Sequence, residues 1–311
     1  MTEPRPTLET ASTAARQFGA GPGEPQLVNA GVNTVYRLGG VALRLASEAQ
    51  KNRDYLTPPL DWLRHLHAAG ARVCEPLPTL SGDWISSVTQ GPDTFLATAV
   101  RWVEGPRLSD LRPTPALYRE YGRSIGRLHR AAQGYAPSPT APPMLGPAEN
   151  GVFPRWEWLW QSAAAHVTGF PVLERAFERL TPAVLAWSAE ETVMTHGDLR
   201  PGNVIWQGNA GAVIIDFDEP VLGPAALDMA RAALELNAAE RPRRLATLLE
   251  GYRLEHELKT VWEDRIAPLM AARAALMAAW SVQEGQVLSG AGSGAVVSVP
   301  RLLTRLEHWD F

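Results

Sequence analysis

Cysteine is nearly absent from this sequence: Cys74 is the single one among 311 residues. No internal disulfide and no cysteine-based zinc site can therefore be built. That fits a reducing cytoplasm. Long apolar runs are missing as well. No stretch approaches the roughly 20 apolar residues that span a bilayer. The most apolar helical segment, Leu269 to Trp280, is short and interrupted by Arg273, and reads as a core helix. The opening segment, Met1 to Thr13, is polar and carries Pro4 and Pro6, without the apolar centre of a signal peptide. A cytoplasmic protein with no membrane partner is the expectation. There is no basic excess either. A net charge of -4 gives no electrostatic reason to expect nucleic acid as a partner. The remainder is ordinary for a soluble chain, at 45% hydrophobic and 20% charged residues. The length suits one large domain or two modest ones.

Along the chain the hydrophobic period changes once. The first third reads as strands: Gln26 to Val28, Thr34 to Leu38, Val41 to Leu45, Asp83 to Val88 and Thr94 to Val103. Gly39-Gly40 is a two-residue hairpin signal. One helix is expected over Asp61 to Ala69, with Trp62, Leu66 and Ala69 on one side and Gly70 as its stop. After Gly105 helices take over, beginning with the face Leu117, Tyr121, Ile125 and Leu128. Gly134 to Pro154, rich in Pro, Gly and Ala, reads as loop. Helical segments are expected at Trp156 to Ala165 and Leu180 to Ser188, then strands at Thr192 to Thr195, Val204 to Trp206 and Ala212 to Phe217. From Ala225 onward the chain is mostly helical. The change of pattern divides the chain into an N-terminal lobe, residues 1–103, and a helical C-terminal lobe, residues 104–311.

The segment richest in chemistry is Thr195-His196-Gly197-Asp198-Leu199-Arg200-Pro201-Gly202-Asn203, followed by Val213-Ile214-Ile215-Asp216-Phe217-Asp218. Phosphoryl transfer from ATP needs a divalent cation to bridge phosphate oxygens. Magnesium takes hard oxygen ligands, only a few of them from protein. The acceptor hydroxyl needs a carboxylate to position it and take its proton. Asp198, Asn203 and Asp216 supply one carboxylate, one amide oxygen and a second carboxylate. Pro201-Gly202 forces a turn between the first two, and the β-branched run before Asp216 is a rigid mount.

These residues resemble the aminoglycoside phosphotransferase and choline-kinase-like family, distant relatives of protein kinases. The family's catalytic loop, H-G-D-x-x-x-x-N, matches His196 through Asn203. Its metal segment, I-D-F-[DE]-x-x-x-x-G-P-x-x-x-D, matches Ile215 through Asp228, including Gly223 and Pro224. The resemblance implies an α+β, two-lobed protein-kinase-like fold with a small antiparallel N-lobe and a mostly helical C-lobe. It implies ATP and Mg2+ as cofactors, Asp198 as catalytic base, and Asn203 and Asp216 as metal ligands. His196 would be structural, bracing the loop, and Asp228 would anchor the helical lobe. Over the N-terminal part the likeness is weaker. Asn29 to Tyr36 is similar to the loop over the ATP phosphates, where backbone donors and Asn33 would do the cradling. Arg44 stands where the family carries a basic residue for the α and β phosphates. Thr98 to Val103 is similar to the hinge, where backbone groups of Arg101 and Val103 would meet adenine. Gly126, Leu128 and His129 match a structural G-x-L-H element.

One departure is evident. The family's small-lobe glutamate, partner of the basic strand residue, would fall near Pro59, and Asp61 is the nearest candidate to replace it. The eleven tryptophans, including Trp156, Trp158 and Trp160, read as packing, and Cys74 as inert core. Asp218 stays open between a metal or substrate contact and a loop carboxylate. Three functions stay open: a kinase of small-molecule hydroxyls, a bacterial stress-type protein Ser/Thr kinase, and a nucleotide-binding regulator without turnover. The intact trio of Asp198, Asn203 and Asp216 favours turnover. The helical region after Asp228 has scattered acids and no dense acidic patch, which favours a neutral or singly charged acceptor over a polycation. Oligomeric state is not encoded in any motif.

Overall fold

A computed structural model of the chain describes residues 4–30, 33–138, 152–188, 192–283 and 299–308. They fall into two compact units, one formed from Met1–Gly105 with Tyr135–Val152, the other from Pro106–Gly134 with Phe153–Phe311. Most of the expected Gly134 to Pro154 loop lies outside the described residues.

The first unit is an antiparallel sheet. Its strands are β1 (Gln26–Ala30), β2 (Thr34–Leu38), β3 (Val41–Ser47), β4 (Pro76–Leu77), β5 (Ser86–Gln90) and β6 (Asp93–Arg101). The order is β1-β2-β3-β6-β4, and β5 also pairs with β6. Gly39 and Gly40 join Leu38 to its partner Val41. Gly39 takes a positive φ of 56°, which a side chain would resist. Strand alternation sets the core. Tyr36, Leu38, Val41, Leu43 and Leu45 point to one face, where α1 (Leu8–Gln17) lies across them through Ala11, Ala14 and Ala15, with Phe18 just after its end. Thr7 caps α1 by accepting from the Thr10 N–H. The helix has small residues where a large apolar stripe would have announced it, and the sequence reading did not find it.

The second helix of this unit, α2 (Arg53–Ala68), starts eight residues before the expected Asp61 and runs through Pro58 and Pro59. Asn52 caps it, accepting from the Tyr55 N–H at 2.9 Å. Two interior prolines remove two helical hydrogen bonds. The burial of Pro58, Pro59, Leu60, Trp62, Leu63 and Leu66 on one side outweighs that loss, at about 1.5–3 kcal/mol for each large apolar side chain.

The second unit is mostly helical: α3 (Pro115–Ala132), α4 (Trp156–Ala164), α5 (Pro171–Ser188), α6 (Ala226–Leu234), α7 (Arg241–Arg253), the single turn α8 (Thr260–Glu263), α9 (Ile266–Gln283) and α10 (Val299–His308). Two short ribbons carry the loops of interest. One pairs β7 (Val193–Thr195) with β10 (Val221–Gly223), and the other pairs β8 (Val204–Trp206) with β9 (Ala212–Ile214). Helices α3 and α7 cross with backbone against backbone. A Cβ at Gly122 would lie 1.8 Å from the Leu248 carbonyl oxygen, and one at Gly251 would lie 1.9 Å from that of Arg119. Glycine is required at both places by close approach. The crossing is tied by Glu255, whose carboxylate accepts from Arg123, Arg127 and Arg130 of α3. Trp156 and Trp160 are buried, and Trp160 stacks on Phe177 with ring centres 4.1 Å apart while its Nε1 donates to Thr181. Those two tryptophans are packing. Helix α9 is longer than the expected Leu269–Trp280 segment and buried nearly all round. Among the described residues no helix is long and apolar enough to cross a membrane.

Candidate active site

The loop between β7 and β8 is held from below by one buried carboxylate. Asp228, near the start of α6, accepts from the backbone N–H groups of His196 at 2.9 Å and Gly197 at 3.1 Å. His129 Nε2 lies 2.9 Å from the same carboxylate, and His129 Nδ1 lies 2.9 Å from the Tyr252 hydroxyl. Burial pushes the Asp228 carboxyl up, but the hydrogen bond and charge of His129 and the contacts of His196 outweigh it and hold it below the usual aspartate value. Gly197 has a φ of 81°, and a Cβ there would sit 1.8 Å from the Glu219 carbonyl oxygen. The loop can therefore turn at this point only with glycine.

His196 is fully buried and makes two directional bonds. Its Nδ1 accepts from the Asp198 N–H at 3.3 Å, so its Nε2 carries the proton and donates to the Ile215 carbonyl at 3.0 Å. The Ile215 N–H in turn donates to the Asn203 carbonyl at 2.9 Å. Ile215, the residue before Asp216, is thus held through its N–H and its carbonyl by the loop that carries His196, Asp198 and Asn203. From α3, the Tyr121 hydroxyl donates to the Leu199 carbonyl at 3.0 Å and fixes the middle of the loop.

Asp198 lies among cations. Arg231 Nε donates to its Oδ1 at 2.7 Å, Arg273 Nη2 stands 3.6 Å from the same oxygen, and Arg200 Nε stands 3.4 Å from Oδ2. Burial pushes this carboxyl up. The charges of Arg231, Arg273 and Arg200 and the Arg231 hydrogen bond outweigh that and bring it down to about 2. Asp198 is therefore a carboxylate at every physiological pH. About a fifth of its side chain, 22%, remains accessible.

Asn203 directs its amide hydrogens to the Asp198 backbone oxygen at 2.9 Å and to Asp198 Oδ2 at 3.2 Å. Both bonds use the amide nitrogen, not Oδ1. Asp216 is the one non-glycine residue with positive φ among the described residues, at 73°. A left-handed backbone costs of order 1–3 kcal/mol and persists where the surroundings enforce it, typically at functional sites. No group of three or more His, Cys, Asp or Glu suited to a metal exists among the described residues. An amide oxygen and one carboxylate do fit a hard cation that draws its other ligands from phosphate and water.

In the first unit, Asn33 precedes β2, and Arg44 sits half-buried in β3 between Val35 and Thr98. Arg101 ends β6 opposite Val41. Its N–H donates to the Glu75 carbonyl at 2.8 Å and its guanidinium pairs with the Glu75 carboxylate, so that N–H is committed. The Val103 N–H has no partner among the described residues. Asp61, the nearest candidate for a glutamate facing Arg44, accepts from Arg64 at 2.8 Å through one carboxylate oxygen.

The sequence pattern of the Phosphotransferase enzyme family matches residues 26–267. The chain belongs to that family. An amicoumacin kinase of Bacillus subtilis (strain 168) is 25% identical over 184 residues, 57% of this chain and 51% of the relative. A stress response kinase A of Salmonella paratyphi A is 32% identical over 168 residues, 52% of this chain and 48% of the relative. The chain thus spans about half the length of the curated relatives it matches. A solved amicoumacin kinase, in complex with AMP-PNP, Ca2+ and Ami, superposes with a TM-score of 0.77 at 19% identity, covering 96% of this chain and 92% of that one. The fold is the protein-kinase-like α+β fold of these enzymes.

The arginines around Asp198 are the residues of this loop's surroundings that the motif reading missed. Arg231 is 4% exposed and also pairs with Glu235 at 2.9 Å. Arg273 was visible in the sequence only as an interruption of an apolar run. An isolated charge in a buried helix demands a partner, and that was the available signal. Asp228 gives a stability test. Its folded value is depressed, so its contribution is complete above the ordinary aspartate value of about 4 and is lost as pH falls through the lower folded value. Asp228→Asn removes the charge and leaves an amide facing three donors. It is expected to lower stability by about 3 kcal/mol at pH 7, and the gap to wild type narrows below about pH 4. Denaturant titrations at both pH values check this; an equal gap at both would remove the charge from the explanation.

Proposed function

We propose that this phosphotransferase moves the γ-phosphoryl group of ATP, with magnesium, to a hydroxyl of a small molecule. The observation that carries the reading is the grip on Ile215: its N–H and carbonyl are bonded to Asn203 and His196, which supports reading Asp198, Asn203 and Asp216 as one site. Bound magnesium would supply charge neutralisation on the transferring phosphate, held by Asn203 Oδ1 and the Asp216 carboxylate. Asp198 orients the acceptor hydroxyl. A carboxyl held near 2 is a weak base toward a free alcohol, and this suits a loose transition state. In such a state bond-making lags, and the proton leaves late, once the attacking oxygen has become acidic. Catalysis then rests on positioning and charge. The similarity to an amicoumacin kinase supports a small-molecule acceptor. In the first unit, Asn33, Arg44 and the Arg101–Val103 backbone are assigned to the nucleotide, with the Arg101 N–H excluded by its bond to Glu75. Residues 1–103 are read as the nucleotide-binding lobe and 104–311 as the lobe of catalysis and acceptor binding.

A protein hydroxyl is the second reading, favoured by the 31% identity over 168 residues to a serine/threonine protein kinase of Salmonella typhimurium. The test is binding followed by turnover. ATP with magnesium should raise the thermal midpoint, because a ligand at about 100 times its Kd stabilises the folded state by about 2.7 kcal/mol. ATP consumption is then screened against alcohols, amino alcohols, sugars and a protein acceptor. No shift at any magnesium concentration, with no heat in calorimetry, would end the proposal; turnover of the protein acceptor alone would replace it with the second reading.

A further inference from the structure

We infer that the acceptor carries an anionic group, a carboxylate or a phosphate monoester, beside the hydroxyl that is phosphorylated, and that Arg273 is the residue that recognises it. The inference rests on the phosphotransfer reading and concerns the acceptor half of the same site. Arg273 lies in the middle of α9, with 8% of its side chain exposed. A guanidinium removed from water in this way normally has most of its five N–H donors engaged. Here they are not. Nη2 is shared at long range between Asp198 Oδ1, 3.6 Å away, and Glu219 Oε2, 3.5 Å away. Nε is buried and has no hydrogen-bond partner. Nη1 makes no hydrogen bond among the described residues. The plane is steadied by the Trp280 ring, 5.4 Å from the guanidinium carbon.

Arg231 forms the contrast. It is equally buried, but its Nε is 2.7 Å from Asp198 and its Nη1 is 2.9 Å from Glu235. Arg231 therefore balances the protein's own charges. Arg273 holds a fork in reserve next to the carboxylate that orients the acceptor. A fork of two parallel donors matches a planar carboxylate or a phosphate, each of which accepts two hydrogen bonds at once. Glu219, 54% exposed, touches only Nη2 and can yield that place to a ligand.

The test uses the full chain with ATP and magnesium and a matched three-carbon series: glycerate, glycerol 3-phosphate, glycerol and 3-amino-1,2-propanediol. The expected result is a kcat/KM at least about tenfold higher for one of the two anions than for glycerol or the amine, the scale of one charge-assisted fork. The two anions separate a carboxylate acceptor from a phosphate acceptor. Arg273→Met should collapse that preference, and Arg273→Lys, which keeps the charge and loses the fork, should retain only part of it. The ATP-dependent thermal shift, read in the same samples, reports whether each variant is folded. If Arg273→Met does not fold, the loss in Arg273→Lys decides. Should glycerol or the amine be the better acceptor, should neither anion be turned over, or should the anion preference survive Arg273→Met, the inference is overturned while phosphotransfer stands. Should ATP itself give no shift, it is the phosphotransfer reading that fails.

Discussion

Asp198→Asn is expected to lower phosphoryl transfer by roughly 10²–10⁴-fold, the range for loss of a positioned general base, and to leave nucleotide affinity nearly unchanged. The asymmetry follows from the contacts. Asp198 faces arginines and Asn203, with about a fifth of its side chain accessible. The amide variant keeps the shape and can still meet Arg231 through its oxygen, so the loop bonded by His196, Tyr121 and Asp228 should persist. What it loses is the negative charge that aligns the hydroxyl and receives its proton. Folding should weaken only modestly, because Arg231 retains Glu235. Single-turnover kinetics and calorimetry on the same preparation separate the two effects. Full turnover with a confirmed acceptor would show that Asp198 is not the orienting base.

Asp216→Asn should do damage of a different kind. Transfer should fall by about 10³-fold or more, since the lost interaction acts on the charge of the transferring group. The magnesium-dependent part of ATP binding should fall with it. Asparagine is the informative substitution here. Asp216 has a φ of 73°, and asparagine is among the few residues that accept a left-handed backbone at small cost. Asp216→Ala would add backbone strain to loss of the ligand and confound the two. ATP titrations with and without magnesium check the prediction: a variant that still binds ATP with the full magnesium dependence would remove Asp216 from the metal site.

The parts of this site that were legible in the sequence are those fixed by local geometry. His196 to Asn203 is one tight loop, and Asp216 follows one short strand, so their spacing alone announces them. The hairpin at Gly39-Gly40 and the α3 face of Tyr121, Ile125 and Leu128 were legible for the same reason: each is a local pattern. The arginines around Asp198 were not. Arg231 and Arg273 come from helices 33 and 75 residues further along, and only packing brings them to the carboxylate. Helix α2 was misjudged at its start because a Pro-Pro pair breaks local propensity, whereas burial of Trp62 and its neighbours decided the outcome. Helix α1 escaped notice because alanine and threonine carry a weak apolar signal even when fully buried. Asp61, proposed from sequence as a replacement for a missing glutamate, pairs with Arg64 three residues on, a local contact that sequence spacing alone could have suggested.

The central claim is transfer of a phosphoryl group by the Asp198–Asn203–Asp216 assembly, and labelled ATP tests it most directly. Wild-type protein, magnesium and γ-labelled ATP are mixed with a small-molecule hydroxyl panel in a single turnover, alongside Asp198→Asn and a chelator control. The account predicts a labelled phosphomonoester of a small molecule that forms only with magnesium and is nearly abolished in Asp198→Asn. Tight ATP binding with no label on any acceptor, or equal labelling by wild type and Asp198→Asn, would contradict it.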